Sequence, residues 1–162
     1  MRSIAAAVPL ALCLAAPAFA ADVLQTHRVA AALANEAVGA AVASCARQGY
    51  AETAVLVDAD GVMQASLRGD GAGIHTIDSA HDKAYTSVSF KADTTALVEL
   101  AKTAPIAVFT SKLPDLLLAP GGLVIKIGNE VVGAIGASGA PGGAFDEGCA
   151  KAGLDAIRDR LK

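Results

Sequence analysis

The chain has 162 residues and a net charge of −3, with 13 Lys and Arg set against 16 Asp and Glu and no tryptophan. That balance offers no basic stripe, which excludes nucleic acid as the partner class. At 54 % hydrophobic residues, the chain can bury a core without needing a metal or a disulfide to fold.

Residues 1–20 read as a secretory signal. Arg2 supplies a positive start, Ile4 to Ala16 is apolar but too short to span a bilayer, and Ala18-Phe19-Ala20 is a small-x-small cleavage pattern. The expected location is periplasmic or secreted, and residues 21–162 form one domain with no further membrane span. Cys13 leaves with the signal, so the mature chain keeps Cys45 and Cys149. Two thiols in an oxidising compartment favour a bridge, and the alternative is a pair of separate small hydrophobes.

Asp22 to Gln48 reads as a long helix, with a stripe of small apolar residues through Ala34, Ala37, Val38, Ala41 and Cys45. Gly49 is its stop. Strands follow at 53–58 and 62–68, joined by an Asp60-Gly61 hairpin turn. After a glycine loop at 69–73, Thr76 is placed to cap a helix whose inner face is Ile77, Ala80, Ala84 and Val88. A short helix begins after Asp93, and residues 105–120 look irregular, with room for a short helix or strand around Leu116 to Leu118. Leu123 to Ile127 and Val131 to Ala137 make a second hairpin about Gly128-Asn129. Asp146 is the expected cap of a last helix from Glu147 to Arg160. Two-residue turns force antiparallel neighbours. The fold class is therefore α+β: an antiparallel sheet with the N- and C-terminal helices packed on one face, an arrangement that puts Cys45 near Cys149.

Chemistry concentrates in two places. On the central helix, His81 and Tyr85 lie one turn apart and could meet a flat ligand, with His75 just before them. Asp78, Asp82 and Lys83 are charged neighbours, which also suits a solvated face. The loop Ser138-Gly139-Ala140-Pro141-Gly142-Gly143 can gather backbone N–H groups into a nest for a carboxylate or phosphate. Ser138 is not a nucleophile of the Gly-x-Ser-x-Gly kind, because its second glycine comes one residue early and no His or Asp partner follows in order. His27 belongs to a helix that reads as structural.

The helix motif Thr76-Ile77-Asp78-x-Ala80-x-Asp82-Lys83-Ala84-x-Thr86 resembles the central helix of the GlcG/HbpS family, the haem-degrading or haem-binding domain family. So do Gly121-Gly122, Gly128 with Val131 to Gly136, Ser138-Gly139, and Asp146-Glu147-x-Cys149-Ala150-x-x-Gly153. The resemblance covers nearly all of residues 25–161. It implies a profilin-like fold and assembly into dimers or larger rings. Some members of the family bind haem or a corrinoid, and others are encoded beside glycolate-utilisation enzymes. By position it makes Lys83, Thr86 and the Ser138-Gly139 loop ligand-facing.

The resulting expectation is an exported, non-catalytic, homo-oligomeric binder of haem or a related tetrapyrrole. His81 or His75 would ligate iron, and Lys83 or Arg68 would meet a propionate. The alternatives are a binder of a small glycolate-like carboxylate, using Lys83 and the 138–143 loop, and a structural or sensory oligomer.

Overall fold

The computed structural model describes residues 24–110 and 112–162; the expected signal at 1–20 lies outside the described residues. In chain order the elements are α1 (Ala31–Arg47), β1 (Thr53–Asp58), β2 (Met63–Arg68), α2 (His75–Phe90), α3 (Thr94–Leu100), α4 (Ile106–Thr110), β3 (Gly122–Ile127), β4 (Glu130–Ser138) and α5 (Gly143–Ile157), with a 3-10 turn at Arg158–Arg160. None of the described helices is long and apolar enough to cross a membrane.

Both expected hairpins form, and they join through their inner strands into one antiparallel sheet of order β2-β1-β4-β3. The joining register sets Thr53 opposite Ser138 and Asp58 opposite Gly133. Alternation along β1 then sends its apolar residues to both sides. Ala54 and Leu56 join Ile135 and Ala137 beneath α1 and α5, while Val55 and Val57 join Ala134 beneath α2. The terminal helices therefore share one face, as expected from the sequence, and α2 covers the other. A strand buried on both faces reads as an unbroken apolar run, which is what Ala54 to Val57 shows.

Small residues let α2 lie on the sheet at backbone contact. A Cβ built on Gly136 would meet the Ala80 carbonyl oxygen at 2.1 Å and the Ala84 nitrogen at 2.7 Å. The opposite face uses the alanine stripe of α1, all of it fully buried. Cys45 of α1 and Cys149 of α5 are bonded, with Cα atoms 5.6 Å apart. Closing a loop of 104 residues stabilises the fold by about 4–5 kcal/mol in the chain-entropy account.

Local differences from the sequence reading have identifiable causes. The first helix starts at Ala31, not Asp22, because tertiary contacts hold the preceding segment extended. Arg28 pairs with Asp58 and Asp60, His27 pairs with Glu130, and the Val29 carbonyl accepts from Gln64. Thr76 is not a cap; it lies buried inside α2, its hydroxyl donating to the Gly73 carbonyl and accepting from Thr53. The last helix begins four residues earlier than expected, so Asp146 falls within its first turn. Part of the segment read as irregular is the short helix α4.

Candidate functional site

The two regions singled out in the sequence do meet, but they meet by binding each other. The Lys83 side chain turns inward from α2 and is 4 % exposed. Gly121, with φ of +124°, leaves the slot it threads: a Cβ there would lie 3.1 Å from Lys83 Cδ. Lys83 Nζ donates to Asp146 Oδ2 at 2.5 Å and to the Ala137 carbonyl at 3.0 Å. The other Asp146 oxygen accepts from Ala140 N–H at 2.9 Å. The glycine corner is thus a carboxylate nest, and the carboxylate in it is the chain's own Asp146. Ser138 and Ser79 hydroxyls pair at 2.7 Å, closing the same seam. Thr86 is also turned inward, its hydroxyl accepting from Leu117 N–H at 2.8 Å.

Glu52 completes the buried cluster, and nothing in its sequence neighbourhood announced it. It is 1 % exposed, and its Oε1 faces no hydrogen-bond donor. Burial first, and the Asp146 carboxylate second, push its carboxyl up to about 8, against the opposing pull of Lys83. Because the folded chain holds the Glu52 proton up to about pH 8 while an unfolded one releases it near the ordinary 4.5, raising pH across that interval opposes folding. The melting temperature of the wild type is expected to fall between pH 5 and pH 8, and Glu52→Gln is expected to flatten that slope. Thermal melts across the interval check it, and equal slopes in the two proteins would contradict it.

The outer face of α2 presents the rest. His81 and Tyr85 are half-buried and stack, with ring centroids 5.8 Å apart and planes 26° apart. His81 Nδ1 lies 3.1 Å from Asp82 Oδ1, a contact that orients the imidazole. Metal-binding histidines are oriented by a carboxylate in this manner. Tyr85 covers Gly61 in the β1–β2 turn and forms one wall of a cleft of about 400 Å³. Ser89, Phe90, Leu113, Pro114, Asp115 and Leu116 line the remainder, and His81 is not part of that lining. The sequence reading missed this wall; the signal for it was the density of leucines in a segment dismissed as irregular.

Two predicted residues lie elsewhere. Arg68 is exposed at the end of β2 and lines a separate cavity of about 300 Å³ with Val42, Tyr50 and Leu67. His75 is exposed at the start of α2, its ring resting over Gly73. A cavity of about 560 Å³ lies between β3 and α5 and includes none of the predicted residues. Among the described residues, no three His, Cys, Asp or Glu side chains cluster closely enough to hold a bare metal ion.

Residues 29–155 match the family described as haem degrading protein HbpS-like. The chain belongs to the HbpS-like family. A crystal structure of HbpS shares 32 % identity over 88 % of this chain and 99 % of its own, with a TM-score of 0.79. A double mutant of HbpS from Streptomyces reticuli shares 35 % over 94 % and 98 %, with a TM-score of 0.77. The complex of PduOC with haem, 21 % identical over 81 % and 96 % with a TM-score of 0.74, shares the fold. Among curated proteins the comparison finds no match. The α+β architecture of this HbpS-like chain is thus the one its motifs implied.

Proposed function

We propose that this HbpS-like protein, exported by its first twenty residues, binds haem or a related tetrapyrrole without catalysing a reaction on it. The observation that carries the reading is the His81–Tyr85 stack, whose Tyr85 ring walls a mainly apolar cleft, with Asp82 beside the imidazole. A flat apolar macrocycle suits a cleft walled by Tyr85, Phe90 and Leu113. His81 Nε2 would hold the iron, and the macrocycle would supply the redox and ligand-binding chemistry of that iron when bound. Asp82 would accept from Nδ1–H and so orient the ring with Nε2 as the nitrogen offered to iron. The printed description of the family and the haem complex of a protein of the same fold support this choice of ligand.

The expected propionate partners change. Lys83 is engaged with Asp146, and Arg68 faces another cavity. Lys91 and Lys112 are exposed and adjoin the lining residues Phe90 and Leu113 in the chain, so they take that role. The alternative ligand, a small glycolate-like carboxylate at the 138–143 loop, would have to displace Asp146 from both Lys83 and Ala140 N–H.

Titration of haemin into the protein is the test. The wild type is expected to give a red-shifted Soret band, His81→Ala a different band position through loss of the axial nitrogen, and Leu113→Asp an affinity weaker by about tenfold or more. A Soret band unmoved in the wild type, or identical in His81→Ala, contradicts the reading.

A further inference from the structure

The Cys45–Cys149 bond carries two neighbours that a purely structural cross-link does not need. Cys45 Sγ lies 3.3 Å from Glu52 Oε2. Cys149 Sγ lies 3.8 Å from Gln48 Nε2. Gln48 follows the last turn of α1, where Ala46, Arg47, Gln48 and Gly49 are all exposed, while both cysteines beneath them are fully buried. One sulfur therefore sits under a thin, polar, solvent-facing cover, and the other sits against a buried carboxyl. We propose that this disulfide is a redox-active site that external dithiols reach when the Gln48 side chain swings aside, attacked at Cys149 and protonated at Cys45 by Glu52.

A thiolate of the dithiol attacks Cys149 Sγ; a new S–S bond forms there and the Cys45–Cys149 bond breaks. The electron pair goes to Cys45 Sγ, which takes the proton of Glu52. The second thiol of the reagent then attacks its own mixed-disulfide sulfur, and its proton passes to the departing Cys149 sulfur. The protein gains two thiols, the reagent becomes a disulfide, and Glu52 recovers a proton from solvent. Without Glu52 the leaving sulfur would emerge as a bare thiolate in a dry site, which burial disfavours.

The surroundings favour a proton on Glu52 ready to be given. Asp146 faces it from α5 and opposes its ionisation; Lys83 from α2 and the Ala140 N–H favour ionisation less strongly; Cys45 closes the α1 side. The carboxylate left after transfer borders the Lys83–Asp146 pair, so reduction is felt at the seam between α2 and the glycine corner.

The test is the rate at which dithiothreitol reduces the folded, oxidised protein, expressed per reagent thiolate between pH 6 and pH 9.5. The wild-type rate constant is expected to decline as pH passes about 8, where Glu52 gives up its proton. Glu52→Gln is expected to be slower by about tenfold or more at pH 7 and to show no decline. Gln48→Ala, which uncovers Cys149, is expected to speed reduction several-fold at every pH while keeping the decline. A wild-type profile that is flat through pH 8 overturns the assignment even if Glu52→Gln fails to fold. Equal rates per thiolate in wild type and Glu52→Gln overturn it as well.

Discussion

Replacing Gly136 by valine is expected to abolish stable folding, and even alanine there should cost more than about 4 kcal/mol, the range reserved for gross steric conflict. The atoms a new Cβ would strike are the Ala80 carbonyl oxygen and the Ala84 nitrogen, both backbone, so no side-chain rotation relieves the contact. Helix α2 would have to lift from β4, and lifting it uncovers Val55, Val57, Ala80, Ala84, Val88 and Ala134, which together make the second core. Domains of this size have about 5–15 kcal/mol in total. The outer face of α2 would move with the helix, taking His81 and Tyr85 out of line with the cleft. Gly148→Ala is the matched control: nothing lies within 4 Å of a Cβ at that position in α5, and alanine should stabilise by about 0.5–1 kcal/mol. Chemical denaturation of the three proteins reads the difference.

Lys83→Ala is expected to destabilise the protein by about 3–5 kcal/mol, the usual cost of removing one member of a buried ion pair. Asp146 would keep its Ala140 N–H bond but lose its cationic partner Lys83, with the Glu52 carboxyl still beside it. The Ala137 carbonyl would lose a donor as well. Pairing Lys83→Met with Asp146→Asn removes both charges, keeps a side-chain carbonyl for Ala140 N–H, and should cost markedly less than the sum of the two single changes. A residue whose role was to face a ligand from solvent would behave differently: its alanine variant would melt with the wild type. The denaturation midpoint of Lys83→Ala distinguishes these two roles.

Much of the architecture was legible because it follows from local chemistry. The Asp60-Gly61 and Gly128-Asn129 turns fixed both hairpins, and the alanine stripe of α1 with Cys45 pointed to the partner helix that carries Cys149. Long-range pairing was not legible. Arg28, His27 and Val29 are held extended by residues 30 to 103 positions away, which no helical periodicity can report. The same limit governed the site. The His81–Tyr85 spacing on one helical face was readable, whereas Leu113 and Leu116 reach the cleft only because Thr86 receives Leu117 N–H. Lys83 looked available since a cation on a polar helix is normally solvated. Its burial depends on the bare Gly121 slot and on Asp146, sixty-three residues away.

The central claim is one of place: a guest binds on the outer face of α2, and the glycine corner is already filled by the chain's own carboxylate. Amide chemical shifts followed during titration with gallium protoporphyrin IX, a diamagnetic stand-in for haem, test it most directly. The largest changes are expected at His81, Tyr85, Phe90, Leu113, Asp115 and Leu116, with Ala140 and Asp146 unmoved. Changes centred on residues 138–146, with the cleft amides silent, would contradict it.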